Sequence, residues 1–210
     1  VAFAIAWFTR LPEFSRKLCE TKGETVLKIG AQGYTIREYA KDEQGVKQCF
    51  ERLAAMGFTT MQYSGMAAVE ATRLRDIAQS CGMEIAVTHS NPDRIQNDTE
   101  ALIAEHKAFG CSRIGIGAMP QKYQGSLEGL RAFIRDFTPA AKIMARHGMR
   151  LHYHNHAFEY ERIGGEALFD ILTNETSPEL FAFIPDTFWI QVGGRCPARQ
   201  LDMLRGRVEV

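Results

Sequence analysis

From Val26 onward the chain alternates two hydrophobic rhythms. Short apolar runs, among them Val26-Leu27-Lys28-Ile29, Met83-Glu84-Ile85-Ala86-Val87 and Leu180-Phe181-Ala182-Phe183-Ile184, have the length and β-branched or aromatic content of strands. Between them, apolar residues such as Val46, Phe50, Leu53 and Ala54 fall at helical spacing. The passage from one rhythm to the other recurs in one form. Ala54-Ala55-Met56-Gly57 leads into Phe58-Thr59-Thr60, and Gln79-Ser80-Cys81-Gly82 into Met83-Glu84-Ile85. Ala108-Phe109-Gly110 leads into Arg113-Ile114, and Arg146-His147-Gly148 into Met149-Arg150-Leu151. A glycine there closes a helix in the left-handed conformation, and the short gap to the strand is that of an αβ loop. This pattern predicts strands beginning near residues 26, 59, 84, 112, 150, 181 and 207. Helices are predicted at about 45–56, 69–81, 98–109, 126–147, 166–173 and 197–204, with Asp42, Asn97 and Ser126 as caps and a loop at Gly33, Tyr34 and Arg37.

A repeat of strand, helix and strand implies a parallel sheet, either an open doubly wound sheet or a closed (β/α)₈ TIM barrel. The open sheet brings a glycine-rich nucleotide loop after its first strand. Here Gly30-Ala31-Gln32-Gly33-Tyr34 lacks that pattern, and Gly115-Ile116-Gly117 lacks its third glycine and runs into Pro120. Polar residues gather instead where strands end, at Arg37, His89, His154 to Glu159 and Asp186. Barrel enzymes build their sites at that rim, so the barrel is the expected fold. Residues 26–210 read as one barrel domain. Residues 1–25 show no clear period and read as an N-terminal extension. Its first eight residues are apolar, with no basic region before them such as a secretory signal needs.

Composition narrows the partners. Net charge is zero with histidine neutral, which leaves no electrostatic footprint for nucleic acid or an anionic membrane. No apolar run approaches the roughly 20 residues that span a bilayer. The five cysteines, at 19, 49, 81, 111 and 196, are scattered and form no Cys-x-x-Cys. They read as small core residues of a cytoplasmic protein.

Three of the six histidines, His152, His154 and His156, alternate within Arg150 to Glu161. On a strand they share one face, with the carboxylate of Glu159 just beyond. Asp186 closes the apolar run Leu180 to Ile184 and reads either as a site carboxylate at a strand mouth or as a helix-capping turn residue. His89 ends the third strand in the same manner. His106 and His147 lie in predicted helices, away from chemistry. No Gly-x-Ser-x-Gly elbow is present, so acyl-enzyme chemistry is a poor fit. Imidazole and carboxylate together suit one divalent ion, Mn²⁺, Co²⁺, Zn²⁺ or Mg²⁺, and proton transfer beside a carbonyl.

The residues Tyr34-Thr35-Ile36-Arg37, His89, His154-Asn155-His156-Ala157-Phe158-Glu159-Tyr160 and Pro185-Asp186-Thr187-Phe188-Trp189 with Gly193-Gly194 occur in this order. Taken together they resemble the sugar phosphate isomerase/epimerase family of xylose isomerase-like TIM barrels, on the branch with inosose dehydratases and 3-keto-glycoside lyases. The resemblance covers about residues 26 to 210. It implies a metal-dependent isomerase or epimerase acting on a small sugar or polyol. A hydro-lyase on an inosose or 3-keto sugar is the alternative, a degenerate sugar-binding protein a reading from another class, and a DNA-repair endonuclease on the same fold a weaker rival. By the same resemblance Asp186 is a metal ligand. His154 or Glu159 supplies the strand-five ligand and the acid–base group, and Arg37, His89, His156 and Trp189 contact substrate. Trp189 stands where ketohexose epimerases carry histidine, which argues against that substrate class. The family continues with a His-x-Lys-Asp motif and an eighth strand bearing a glutamate, whereas this sequence ends at Arg207-Val208-Glu209-Val210, where strand seven begins. The expectation is therefore a barrel truncated at strand seven, a fragment inactive by itself, whose open edge favours self-association into a homo-oligomer.

Overall fold

The computed structural model describes residues 2–3 and 28–210. The extension at 1–25, with Cys19, and the first residues of the strand expected at Val26 lie almost wholly outside the described residues. The chain forms two compact units. One takes residues up to Thr88 with Glu105–Ser112, and the other takes His89–Ala104 with Arg113–Val210.

In the first unit, β1 (Ile29–Gln32), β2 (Thr60–Tyr63) and β3 (Glu84–His89) run parallel. Ala2–Phe3 pairs in parallel with Ile29 and Gly30. The register Ala31↔Met61↔Ile85 slips by one after Met61, so that Gln62 meets Val87. Helix α1 (Glu43–Ala55) starts where Asp42 accepts from the Gly45 amide, as expected. Helix α2 (Ala71–Ser80) starts where Glu70 accepts from the amides of Thr72 and Arg73. Val46, Phe50, Met61, Leu74 and Cys111 are buried in the core between helices and strands. Burying each large side chain contributes about 1.5–3 kcal/mol, and this amphipathic packing rather than helix propensity holds the layer together.

The second unit repeats the plan. Its strands β4 (Arg113–Ile116), β5 (Arg150–His154) and β6 (Phe181–Ile184) are parallel, with Gly115↔His152↔Ala182 and Ile116↔Tyr153↔Phe183 in register. Helix α3 (Pro92–Asn97) is followed by α4 (Thr99–Ala108), then by the long α5 (Leu127–Arg146). Phe133, Phe137 and Met144 of α5 are fully buried, and the Phe133 ring meets Tyr153 of β5 edge-on at 5.5 Å. After β5 come a short hairpin, Arg162–Ile163 with Glu166–Ala167, and α6 (Leu168–Glu175). Helices α7 (Thr187–Val192) and α8 (Pro197–Met203) follow β6. Where a seventh strand was expected, Phe183 donates to the Arg207 carbonyl at 2.7 Å and bridges Val208 in parallel.

The four junction glycines behave as expected: Gly57, Gly82, Gly110 and Gly148 all have positive φ, between 63° and 92°. Four details differ. The helix expected at 98–109 forms as α4, but α3 before it was not expected. Asn97, expected as a cap, instead ends α3, which Asn91 caps by accepting from the Asp93 amide. Residues Gly33–Tyr39 wind into a 3₁₀ helix rather than a loop. Helix α7 was not expected, because its six residues are too few to show a period. Of the four described cysteines only Cys49 and Cys111 are buried; Cys81 is half-buried and Cys196 exposed, so neither of these two is a core residue. Among the described residues no helix is long and apolar enough to cross a membrane.

Candidate functional site

The second unit gathers His89, its first residue, with His154, His156, Asp186 and Trp189, where β5 and β6 end. His154 is the last residue of β5 and lies 6% exposed. Alternation puts it on the face of His152, opposite Tyr153. Its ring meets His89 at 5.0 Å and His156 at 4.9 Å between centroids. His154 Nε2 stands 3.8 Å from Asp186 Oδ2, close but beyond hydrogen-bonding distance. His156 lies past the strand end, stacked on Phe158 and 5.3 Å from the Trp189 ring.

Asp186 combines the two roles the sequence left open. Its Oδ1 accepts from the Trp189 amide at 3.1 Å and so caps α7, while Oδ2 faces His154. Asn155, whose role sequence reasoning missed, holds it there. The Asn155 side chain accepts from the Asp186 amide at 2.9 Å and donates to the Asp186 carbonyl at 3.4 Å. The only signal was an amide side chain between two histidines at a strand mouth. Gly193 has a similar hidden purpose. A Cβ there would lie 2.4 Å from the Tyr160 ring, so the Gly193-Gly194 turn packs only without a side chain.

Burial sets the charge states. It drives the His154 ring down to about 4, helped by His156 and opposed by Asp186. Burial, with His154 and His156 beside it, drives His89 down to about 3. His156 is lowered too, by burial against the pull of Asp186. All three imidazoles are therefore neutral at pH 7, the form that accepts a proton or ligates a metal. The Nδ1 atoms of His154 and His156 are buried without a hydrogen-bond partner.

Glu159 sits elsewhere. It lies in a 3₁₀ turn, 1% exposed, accepting from the Tyr153 hydroxyl at 2.5 Å and from the His156 amide at 2.8 Å. Both oxygens are engaged on the Tyr153 side of β5. Burial raises its carboxyl to about 7, against the Tyr153 hydrogen bond. Arg37 belongs to the first unit, where its guanidinium covers the Tyr34 ring at 4.0 Å and donates to the Tyr34 carbonyl. His152 is fully buried against Glu209, His147 pairs with Glu100 at a helix end, and His106 is buried against Thr88.

A divalent cation needs deprotonated nitrogen and oxygen donors. His154 and Asp186 meet that requirement through a neutral ring with an orphaned buried nitrogen beside a carboxylate. Among the described residues no three His, Cys, Asp or Glu side chains are grouped to hold a metal ion, so these supply a partial donor set.

No protein-family profile and no curated protein matches the sequence. Solved structures do match. Two sugar phosphate isomerase/epimerases from Parabacteroides distasonis ATCC 8503 superpose with TM-scores of 0.73 and 0.75 at 20% and 18% identity. They cover 86% and 90% of this chain and 76% and 75% of their own. An AP endonuclease, family 2, from Brucella melitensis superposes at 0.62 with 13% identity, over 77% of this chain and 70% of its own. The fold is thus that of the xylose isomerase-like barrels: the barrel was expected from the βα repeat, its kind from the resemblance.

Proposed function

We propose that the protein is a sugar or polyol isomerase or epimerase that moves a proton next to a carbonyl. The observation that carries this reading is the neutral imidazole of His154 set 3.8 Å from the Asp186 carboxylate, at strand ends of a barrel shared with sugar phosphate isomerase/epimerases. His154 and Asp186 are the residues that would hold a divalent ion. The chemistry such an ion supplies when bound is polarisation of a carbonyl and an adjacent hydroxyl. The side chains do the rest. Asp186, pinned by Asn155, accepts or returns the carbon-bound proton, and His154 serves the substrate oxygens. His156, Phe158 and Trp189 form an aromatic wall that binds the apolar face of a sugar and excludes water. His89 backs His154 from the other side. Glu159 supports the loop from behind through Tyr153 and His156 rather than touching substrate. A nuclease reading is disfavoured by zero net charge and by the sparse donor set.

Keto sugars incubated in D₂O with the protein expressed from its own gene, with Mn²⁺, Co²⁺, Zn²⁺ or Mg²⁺ supplied, test this. Deuterium entering the carbon next to the carbonyl, with product mass otherwise unchanged, is the expected result. Loss of water with a new enone absorbance would assign the same site to a hydro-lyase. No exchange with any ion would overturn the reading.

A further inference from the structure

Gly115-Ile116-Gly117 resembles a nucleotide loop only in part, and the proposed chemistry leaves it without a role. Its surroundings supply one. The Ser90 amide donates to the Gly115 carbonyl at 2.8 Å, which lays the residue after His89 along β4. Two residues on, a Cβ built at Gly117 would lie 2.6 Å from His89 Nδ1, 2.9 Å from Cγ and 3.2 Å from Cβ. These separations are well inside van der Waals contact. Gly117 is not among the glycines with positive φ, so its backbone suits any residue. What requires glycine is the imidazole lying on it.

That imidazole is the one whose centroid stands 5.0 Å from the His154 ring, at an angle of 54°. His154 has a buried Nδ1 without a hydrogen-bond partner, and its Nε2 is not hydrogen-bonded to Asp186. Its ring orientation is therefore set by what packs on it. We propose that Gly117 is a positioning residue: by lacking a side chain it seats His89, and His89 sets the plane in which His154 faces Asp186. The proposal rests on the functional reading only in taking His154 and Asp186 as the working pair. Its geometry stands apart from turnover.

A methyl at 117 meets a ring rather than the far end of a flexible chain, so the ring must swing. Imidazole ¹H–¹⁵N correlation spectra of Gly117→Ala test this. The ring signals of both His89 and His154 should shift, while those of His147, exposed at the end of α5, stay in place. In a His89→Ala background, adding Gly117→Ala should leave His154 unmoved. The proposal is overturned if His154 stays put while His89 shifts, or if His154 moves equally without His89. Should Gly117→Ala fail to fold, the double variant decides. Recovery of folding in Gly117→Ala/His89→Ala supports a clash with that ring, and failure there overturns it. Lack of turnover in the unaltered protein would sink the functional reading and leave this test intact.

Discussion

His152 and His154 stand two residues apart on one face of β5 and meet opposite surroundings. His152 is fully buried with both nitrogens used, Nδ1 on the Arg150 carbonyl and Nε2 on Glu209. Glu209 also binds the guanidiniums of Arg113 and Arg150, so the N-terminal end of the strand is a closed ionic network. His154, nearly as buried, keeps an orphaned nitrogen and a carboxylate it does not bond. A buried polar group left unsatisfied costs free energy, so of the two rings His154 is the one with a nitrogen still open to a partner. The contrast separates the two histidines by how fully each is satisfied, where residue type and burial do not.

The largest expected effect lies at the open end. Asp186→Asn keeps a good capping side chain for α7 while removing the charge that faces His154. Activity should fall about 10²- to 10⁴-fold, the range typical of lost acid–base function, with stability nearly unchanged. Steady-state kinetics beside denaturant unfolding measures both. An equal loss of stability would make Asp186 a capping residue and erase the contrast.

The closed end should respond the other way. Glu209→Gln withdraws the carboxylate from His152, Arg113 and Arg150 at once. Losing charge-assisted hydrogen bonds of this kind costs about 1.5–3 kcal/mol, read as a lower denaturant midpoint. The imidazole signals of His154 should stay in place. If they move, the two ends are coupled and cannot be treated as separate.

The pH dependence of stability separates the two ends again. The rings of His89 and His154 titrate at about 3 and 4, against 6.5 when unfolded, so the stability they contribute is complete above pH 6.5. It is lost as pH falls from 6.5 toward those values. Glu209 is held down to about 2 against 4.5, first by its hydrogen bond to His152, so its contribution disappears later, between pH 4.5 and 2. Glu159, raised to about 7, has the opposite sign: its contribution is present below pH 4.5 and is lost as pH rises toward 7. His154→Gln should flatten the profile between pH 6.5 and 4, and Glu209→Gln the segment below 4.5. The reverse assignment, measured by unfolding across pH, would break the comparison.

Much of this fold was legible in advance. Apolar runs, helical spacing and four closing glycines placed six strands within about three residues of their observed starts, because burial and left-handed φ leave local marks. The caps at Asp42 and Ser126 were legible for the same reason, each bonding an amide three residues on. Helix α7 was not, since six residues are too few to show a period. Nor was α3, whose six residues are likewise too few to show a period.

By sequence alone, the chain determined that His152 and His154 share one strand face and that a carboxylate closes the next strand, because side-chain direction follows from strand period; His156 falls beyond the strand. Tertiary structure decided which of them is spent and which is left open. Glu209 reaches back across 57 residues to His152, Asn155 reaches 31 residues forward to pin Asp186, and Glu159 turns to Tyr153 instead of joining His154. Gly117, one residue past β4, makes room for His89. Hydrogen-bond satisfaction and steric room depend on atoms distant along the chain, and no local pattern records them.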